Sequence, residues 1–137
     1  SIRFSDGSEI VLEPGARVRI ESTRVDGARV ALEHGAATMR LRQREPNAWH
    51  FAAGPFELRV LSARTGTGLR LDWDEHARAL DLKVLRMGVV EVKSPLGTAP
   101  TQHVLHAGER FRASLNTGSV QLDFQGSAPA SAAQPGP

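Results

Sequence analysis

The chain of 137 residues contains no cysteine and no tyrosine. Because there is no cysteine, the fold does not depend on disulfides, and both thiolate catalysis and cysteine-based zinc sites are excluded. No apolar run approaches the roughly 18 residues that a transmembrane helix needs, and no basic-then-apolar leader is present. The first residues already have a strand-like pattern, so we expect a piece of a longer protein from which any anchor or leader has been removed.

Lysine is also scarce, since Lys83 and Lys93 are the only two among 17 basic residues, which face 15 acidic ones. Arginine keeps its proton at any physiological pH, so the small net charge of +2 persists. A nucleic-acid-binding domain usually concentrates positive charge on one face, and an excess of this size does not argue for such a partner. The length fits one domain with a core of its own.

Helix-like periodicity is rare, and alternation of polar and apolar residues takes its place. Such alternation is typical of half-buried strands, and turn signals rich in glycine, proline and aspartate separate the segments. The segments lie at 17–20, 38–42, 56–60, 69–73, 80–84, 90–92 and 120–124. They predict an all-β fold of short strands in two facing sheets, either a sandwich or β-solenoid-like, over residues 1–125. Residues 126–137 are small residues and prolines without periodicity, which predicts a linker or disordered tail.

The pattern Leu-x-x-Gly occurs at 12–15, 32–35, 85–88, 105–108 and, less clearly, 115–118. About one match is expected by chance, so the repetition calls for a structural explanation. Glycine adopts positive φ without steric cost, and we interpret each pattern as a corner that the leucine anchors in the core. Stacked corners would place short strands in two facing sheets, whereas plain hairpin turns would explain the glycines but not the leucines. The corner residues are Leu12, Gly15, Leu32, Gly35, Leu85, Gly88, Leu105 and Gly108.

A row of arginines is the candidate partner-binding surface. Arg40, Arg42 and Arg44 alternate along one predicted strand, so their three guanidinium groups should share a face. Trp49 follows a bend at 46–47. Arginine and tryptophan are enriched at the energetic centres of protein interfaces, which makes these four residues the candidates. The alternative is a solvated charged face with Trp49 in the core.

Asp72, Asp74, Glu75 and His76 form a weaker candidate, because two carboxylates on one strand face beside a turn suit a calcium ion. The full calcium-loop pattern is absent, so a solvated hairpin tip is the simpler interpretation.

The remaining polar clusters do not form a recognisable site. His103 and His106 would point to opposite faces of a strand, and His34 and His106 would meet only if the corners stack. The hydroxyl residues at 62–67 have no histidine–aspartate partner in any hydrolase pattern. We therefore predict no catalytic residue, no metal site, no cofactor and no enzymatic activity.

Four blocks, taken in order, resemble the FecR domain, the periplasmic module of bacterial FecR-type sigma-factor regulators. The first is FSDGSEIVLEPGARVRI at 4–20 and the second is VALEHGAATMRL at 30–41. The third is FAAGPFELRVLSARTGTGLRLDWD at 51–74. The fourth is LDLKVLRMGVVEVKSP at 80–95, followed by LHAGERFRA at 105–113. No single motif is specific, but their order is, and the resemblance covers about residues 4–113.

The resemblance implies an all-β periplasmic module whose parent is anchored in the inner membrane. Such modules act through protein–protein contact, in signalling to an extracytoplasmic-function sigma factor or within an envelope complex, with an outer-membrane receptor or another envelope component as partner. The chain departs from the full regulators, because it has no membrane helix, no sigma-binding segment and no recognisable receptor-docking domain. The alternative function is a polysaccharide- or peptidoglycan-binding envelope module, against which the scarcity of aromatic residues counts. Binding of nucleic acid through the arginine row is disfavoured for the same reason.

Overall fold

Twelve β-strands make up all the regular secondary structure among the described residues of this computed structural model. The structure describes residues 1–4, 7–24, 27–42, 49–62, 67–96 and 101–124. The prediction of an all-β fold is confirmed. Its strands are β1 (Ile2–Arg3), β2 (Glu9–Leu12), β3 (Arg17–Arg24), β4 (Gly27–Leu41), β5 (His50–Ala53), β6 (Phe56–Ser62), β7 (Thr67–Asp74), β8 (Ala79–Arg86), β9 (Val89–Ser94), β10 (Thr101–His106), β11 (Glu109–Ser114) and β12 (Ser119–Phe124).

Two further expectations concern a membrane-spanning helix and the C-terminal tail. No helix among the described residues is long and apolar enough to cross a membrane. The predicted domain boundary at residue 125 and the predicted tail at 126–137 stay predictions, because they lie outside the described residues.

The strands form two layers that are halves of one continuous, curled sheet. Layer 1 contains β1, β2, β7, β8, β11 and β12, and layer 2 contains β3, β5, β6, β9 and β10. Strand β4 belongs to both, because residues 27–34 pair in layer 2 and residues 35–41 pair in layer 1. The predicted facing sheets are therefore joined, since a strand of 15 residues is long enough to pass from one layer to the other.

The core lies between the layers and is filled from alternate positions of the strands. Phe56 of layer 2 contacts Trp73 and Phe111 of layer 1, with ring centroids 6.1 and 6.3 Å apart. Leu71 and Leu82, which face each other across β7 and β8, are completely buried. Burying one such side chain contributes about 2 kcal/mol relative to leaving it in water. The period-2 alternation thus has a direct cause, because every second side chain reaches this core.

The four clearer Leu-x-x-Gly corners are the places where the chain passes between the layers. Gly15 separates β2 of layer 1 from β3 of layer 2, and Gly35 lies where β4 returns to layer 1. Gly88 separates β8 of layer 1 from β9 of layer 2, and Gly108 separates β10 of layer 2 from β11 of layer 1. All four glycines have φ between +87° and +110°. Gly118, in the less clear copy, also has positive φ but closes a hairpin within layer 1.

The leucines of these corners are less uniform than the glycines. Leu32 and Leu105 are buried, and Leu12 packs against the core from its margin. Leu85 differs from the expectation of a core anchor, because its side chain is 45% exposed. The alternation of β8 accounts for this exposure, because Leu80, Leu82 and Val84 are buried and Leu85 directly follows Val84. A bulge is located here, in which Leu69 pairs with Val84 and Gly68 with Arg86, so Leu85 is the extra residue and Arg86 is exposed although alternation would bury it.

Candidate functional site

Arg40 and Arg42 are exposed on layer 1, as their alternation along β4 predicts, and the Arg40 side chain is 71% exposed. The backbone N–H of Arg42 donates to Ser8 Oγ at 2.9 Å. Its side chain lies beside Gly7, where an added Cβ would come within 3.0 Å of Arg42 Nε. Arg44 lies outside the described residues. The structure therefore places two of the three predicted guanidinium groups, and both lie on the outer face of layer 1.

Trp49 does not share this surface, and its prediction as a partner-binding residue is corrected. Its side chain is 1% exposed, its ring is stacked on Phe51 with centroids 5.9 Å apart, and the edge of Phe4 meets it at 5.0 Å. The chain passes from layer 1 to layer 2 between Leu41 and Trp49. Trp49 directly precedes β5, and its side chain points into the core like the inward-facing side chains of that strand. It is therefore not on the surface with the arginines, although it lies near them in sequence.

A depression on the outer face of layer 1 lies next to Arg40, and we call it the Gly68 notch. In the ladder from β4 to β7 to β8, Arg40 pairs with Gly68 and Gly68 pairs with Arg86. Because glycine has no side chain, a gap remains between the two arginines. Leu85, the extra residue of the bulge, borders this gap, and the depression has a volume of about 370 Å³. It is lined by Thr38, Arg40, Gly68, Leu85 and Arg86.

Positive charge at the notch is poorly compensated. The nearest carboxylate to Arg40 belongs to Glu9, at 4.0 Å, and Arg3 approaches the same carboxylate group at 3.8 Å. Within the described part of the chain, neither Arg42 nor Arg86 has an ion-pair partner. Arg40, Arg42 and Arg86 are all exposed, and their closest carboxylate contact in the described ranges is the 4.0 Å contact between Arg40 and Glu9.

The opposite end of the same face carries carboxylates that are already engaged. Arg110 makes a two-pronged contact with Asp81, in which Nε donates to Oδ1 at 2.9 Å. Arg112 Nη2 donates to Asp123 Oδ2 at 2.8 Å. A shallow groove runs over this end, and both of its arginines, Arg110 and Arg112, are engaged with carboxylates. The outer face of layer 1 thus changes from paired charge at this end to unpaired cations at the notch.

Three arginines on the outer face of layer 2 are in ion pairs. We call their surroundings the paired face, consisting of Arg19, Glu21, Arg29, Glu33, His50, Arg59 and Glu91. Arg19 contacts both Glu21 and Glu33 at 2.9 Å, and Arg29 Nε donates to Glu21 at 3.2 Å. The hydrogen bond from Arg19 holds the pKa of Glu21 below its ordinary value, helped by Arg29. Each of these arginines therefore has a carboxylate of its own chain.

The acidic stretch at 72–76 forms the tip of the β7–β8 hairpin. Asp74 Oδ1 accepts the backbone N–H groups of His76 and Ala77 at 2.9 and 3.0 Å. The hydrogen bond from Ala77 contributes most to lowering the pKa of the Asp74 carboxyl group, and the bond from His76 lowers it further. The carboxylate shapes the turn, and no three histidine, aspartate or glutamate side chains gather as a metal site in the described ranges.

The histidines have separate neighbours. His34 Nδ1 accepts the Glu75 backbone N–H at 3.2 Å, and its ring lies 5.8 Å from that of His76. His103 is half-buried against Phe111, with ring centroids 5.1 Å apart, whereas His106 is exposed.

Among the described residues of the predicted turn at 62–67, no hydroxyl side chain is placed as an exposed nucleophile. Thr67 is buried in β7, while the side chain of Ser62 and all of Thr65 lie outside the described part.

Sequence reasoning did not assign four residues of the notch to a binding surface, namely Thr38, Gly68, Leu85 and Arg86. Gly68 was recognisable as a turn glycine in GTG, but its position between two arginines depends on strand register. The exposure of Arg86 depends on a bulge, and a bulge moves a side chain to the other face without any change in composition.

Comparison with known proteins concerns the fold. The chain matches no protein-family model and no curated protein. It is similar to two crystal structures, at 1.65 and 2.50 Å resolution, of a protein from Parabacteroides distasonis ATCC 8503 that is provisionally named as an anti-sigma factor. Each matches with a TM-score of 0.74 and 19% sequence identity. The match covers 96% of this chain, which spans only 57% of the length of those chains.

Proposed function

We propose that this chain is a non-catalytic, FecR-like module that acts by contact with another protein in the control of an extracytoplasmic-function sigma factor. The observation that carries this proposal is the all-β fold shared, over 96% of the chain, with a protein provisionally named as an anti-sigma factor. The ordered four-block resemblance to the FecR domain, over about residues 4–113, supports the same assignment independently. In that setting the module lies in the periplasm, and its parent is anchored in the inner membrane.

The surface of the module supports a role in binding rather than in chemistry. The arginines of the paired face and the Asp74 carboxylate of the hairpin tip are engaged within the chain. At the Gly68 notch, Arg40 has only the 4.0 Å contact with Glu9 and Arg86 has no ion pair among the described residues, and both lie beside the exposed Leu85. Arginines that their own chain leaves uncompensated are suited to a charged partner, because they can form the pair without first breaking another.

The alternative function, binding of polysaccharide or peptidoglycan, requires exposed aromatic rings along a groove. The two tryptophans, Trp49 and Trp73, are 1% and 4% exposed. Neither can stack on a sugar without unfolding part of the core, so the surface supports a protein partner better than a glycan.

The test is an in-frame deletion of this module from the parent gene, followed by measurement of transcripts and of bound proteins. We expect transcripts of one sigma-factor regulon to change, and we expect the isolated module to retain a protein of that signalling pathway from envelope fractions. Unchanged transcripts, together with quenching of tryptophan fluorescence by oligosaccharides, would contradict the proposal and favour the glycan-binding alternative.

The periplasmic location has its own test. A fusion of alkaline phosphatase to the module in its parent protein is expected to be active, because that enzyme matures only in an oxidising compartment. An inactive phosphatase fusion, paired with a fluorescent cytoplasmic fusion at the same position, would place the module on the other side of the membrane.

A further inference from the structure

The geometry points to the Gly68 notch as the docking site for an acidic, aliphatic segment of the partner protein. A carboxylate of that segment lies between Arg40 and Arg86, and a neighbouring aliphatic side chain packs against Leu85. This inference rests on the proposed function, because it names the chemistry of the partner that such a module would bind.

Charge complementarity is the first step. Arg40 and Arg86 flank a residue without a side chain, and Arg42 follows on the same face of β4. The only carboxylate near Arg40 is that of Glu9, at the 4.0 Å limit of an ion pair, among the residues that the structure describes. A carboxylate entering the gap would meet two guanidinium groups, and no acid of the described ranges forms an ion pair with Arg86.

The shape of the notch is the second step. Leu85, which lines the notch, is 45% exposed, so aliphatic surface borders the arginines, and Met87, which follows Arg86 in the chain, is 48% exposed. Because Gly68 has no side chain, the surface between Arg40 and Arg86 is recessed, and a carboxylate side chain of the partner can enter the recess. A segment that carries acidic and aliphatic residues side by side would therefore satisfy both the charge and the apolar surface.

The same features disfavour a nucleic acid. Phosphate would also be attracted to Arg40 and Arg86, but proteins that bind single strands rely on exposed aromatic rings on which successive bases stack. Phe51, Phe56 and Phe111 are buried, as are both tryptophans. Leu85 and Met87 beside the arginines provide contacts that a sugar–phosphate backbone does not use.

Gly68 allows a blocking variant that leaves the charges in place. Its φ lies outside the left-handed region, and an added Cβ would meet nothing closer than Leu85 Cβ and the Met39 carbonyl oxygen, both at 3.8 Å. Gly68→Val is therefore expected to fold and to fill the gap. The charge variant is the double change Arg40→Glu with Arg86→Glu. Its matched control, on the paired face, is Arg19→Glu with Arg59→Glu, which alters the net charge equally.

The experiment measures binding of the full chain to a fluorescent peptide of about ten residues that alternates glutamate with leucine, by fluorescence anisotropy. A lysine–leucine peptide and a single-stranded oligothymidylate serve as the other probes, and thermal unfolding confirms that each variant is folded. We expect the glutamate peptide to bind the parent and the paired-face control equally well, and to bind the two notch variants at least about tenfold more weakly. Binding to the parent should also weaken as salt is raised.

Three results would overturn the inference. One is unchanged binding by folded Gly68→Val, another is equal loss in the paired-face control, and the third is tighter binding of the oligothymidylate than of the glutamate peptide. The two proposals can be separated by transferring the same substitutions to the parent gene. If deletion of the module changes the regulon but the notch variants do not, the docking site is wrong while the proposed function stands. If the notch binds the acidic peptide but deletion changes no regulon, the proposed regulatory function fails.

Discussion

The outer faces of the two layers have similar compositions and differ in how their charges are arranged. On the paired face, Arg19, Arg29 and Arg59 each contact a glutamate of the same chain, at distances from 2.9 to 3.5 Å. At the Gly68 notch, Arg40 has a contact at 4.0 Å, and Arg86 has none within the described ranges. Both faces are regular, solvated β-surfaces.

The difference shows that the density of arginine does not by itself distinguish a binding surface. An exposed ion pair contributes little to stability, but it occupies the guanidinium group, and a partner must break that pair before it can form its own. At the notch, the contact between Arg40 and Glu9 is at the 4.0 Å limit of an ion pair, and Arg86 has no such contact among the described residues. The poorly compensated cations, exposed leucine and missing side chain of the notch distinguish it from the paired face, although a count of charges would not.

The largest expected effect comes from the strand that joins the two faces. Gly35 has φ of +95°, and a Cβ there would lie 2.6 Å from Ala16 Cα, a backbone atom. Gly15 has φ of +87°, but a Cβ there would meet nothing within 4 Å. Each change to alanine strains the backbone by about 1 kcal/mol, and the clash should bring the cost at Gly35 to about 3 kcal/mol. Chemical denaturation of Gly35→Ala and Gly15→Ala measures the difference.

Equal losses in these two variants would mean that β4 can shift at the crossing without cost. In that case the register from Gly35 to Leu41, which places Arg40 opposite Gly68, would not be fixed by the corner. The valine variants Gly35→Val and Gly88→Val should each cost more than about 1 kcal/mol, because a β-branched residue resists positive φ.

The next effect compares how much one arginine from each face contributes to stability. Arg59→Ala removes the partner of Glu91, whose side chain is only 14% exposed, and should lower the free energy of unfolding by about 0.5 kcal/mol. Arg86→Ala removes a cation that has no ion-pair partner in the described structure, and should leave stability unchanged or slightly higher. The two variants carry the same change in charge and are compared by urea denaturation at low salt. A loss at Arg86 as large as that at Arg59 would show that the notch arginine is engaged within the chain.

The sequence was sufficient for what depends on local patterns. Alternation predicted the all-β fold, because each strand needs one face in the core, and Leu-x-x-Gly located the bends, because positive φ selects glycine. It also placed Arg40 and Arg42 on one face. These inferences need only the period of a strand and the steric properties of single residues.

What the sequence could not predict depends on pairing between distant segments. Trp49 lies in the core because the chain changes layers between Leu41 and Trp49. Arg86 is exposed beside Gly68 because a bulge at Leu85 interrupts the alternation of β8. The notch exists because β7 places Gly68 between two arginines that are 46 positions apart in the chain, at 40 and 86. None of these facts is visible in a window of neighbouring residues.

The smallest expected effect tests whether a protonated His50 destabilises the paired face. His50 is half-buried between Arg29 and Arg59 in the strand ladder. Burial, followed by these two cations, lowers its pKa below the ordinary value of 6.5. The folded protein therefore binds this proton more weakly than the unfolded chain, so stability should rise with pH through the window just below 6.5 and fall as acid is added.

His50→Gln removes this titration and should make stability less dependent on pH in the same window. Urea denaturation of both proteins between about pH 5 and 8 measures the difference between their stability curves. The other histidines contribute equally to both curves, so their effect cancels in this difference. Parallel curves would mean that a protonated His50 is tolerated between its two arginines. The paired face would then accommodate an uncompensated cation as the notch does, and only the gap at Gly68 and the exposed Leu85 would still distinguish the two surfaces.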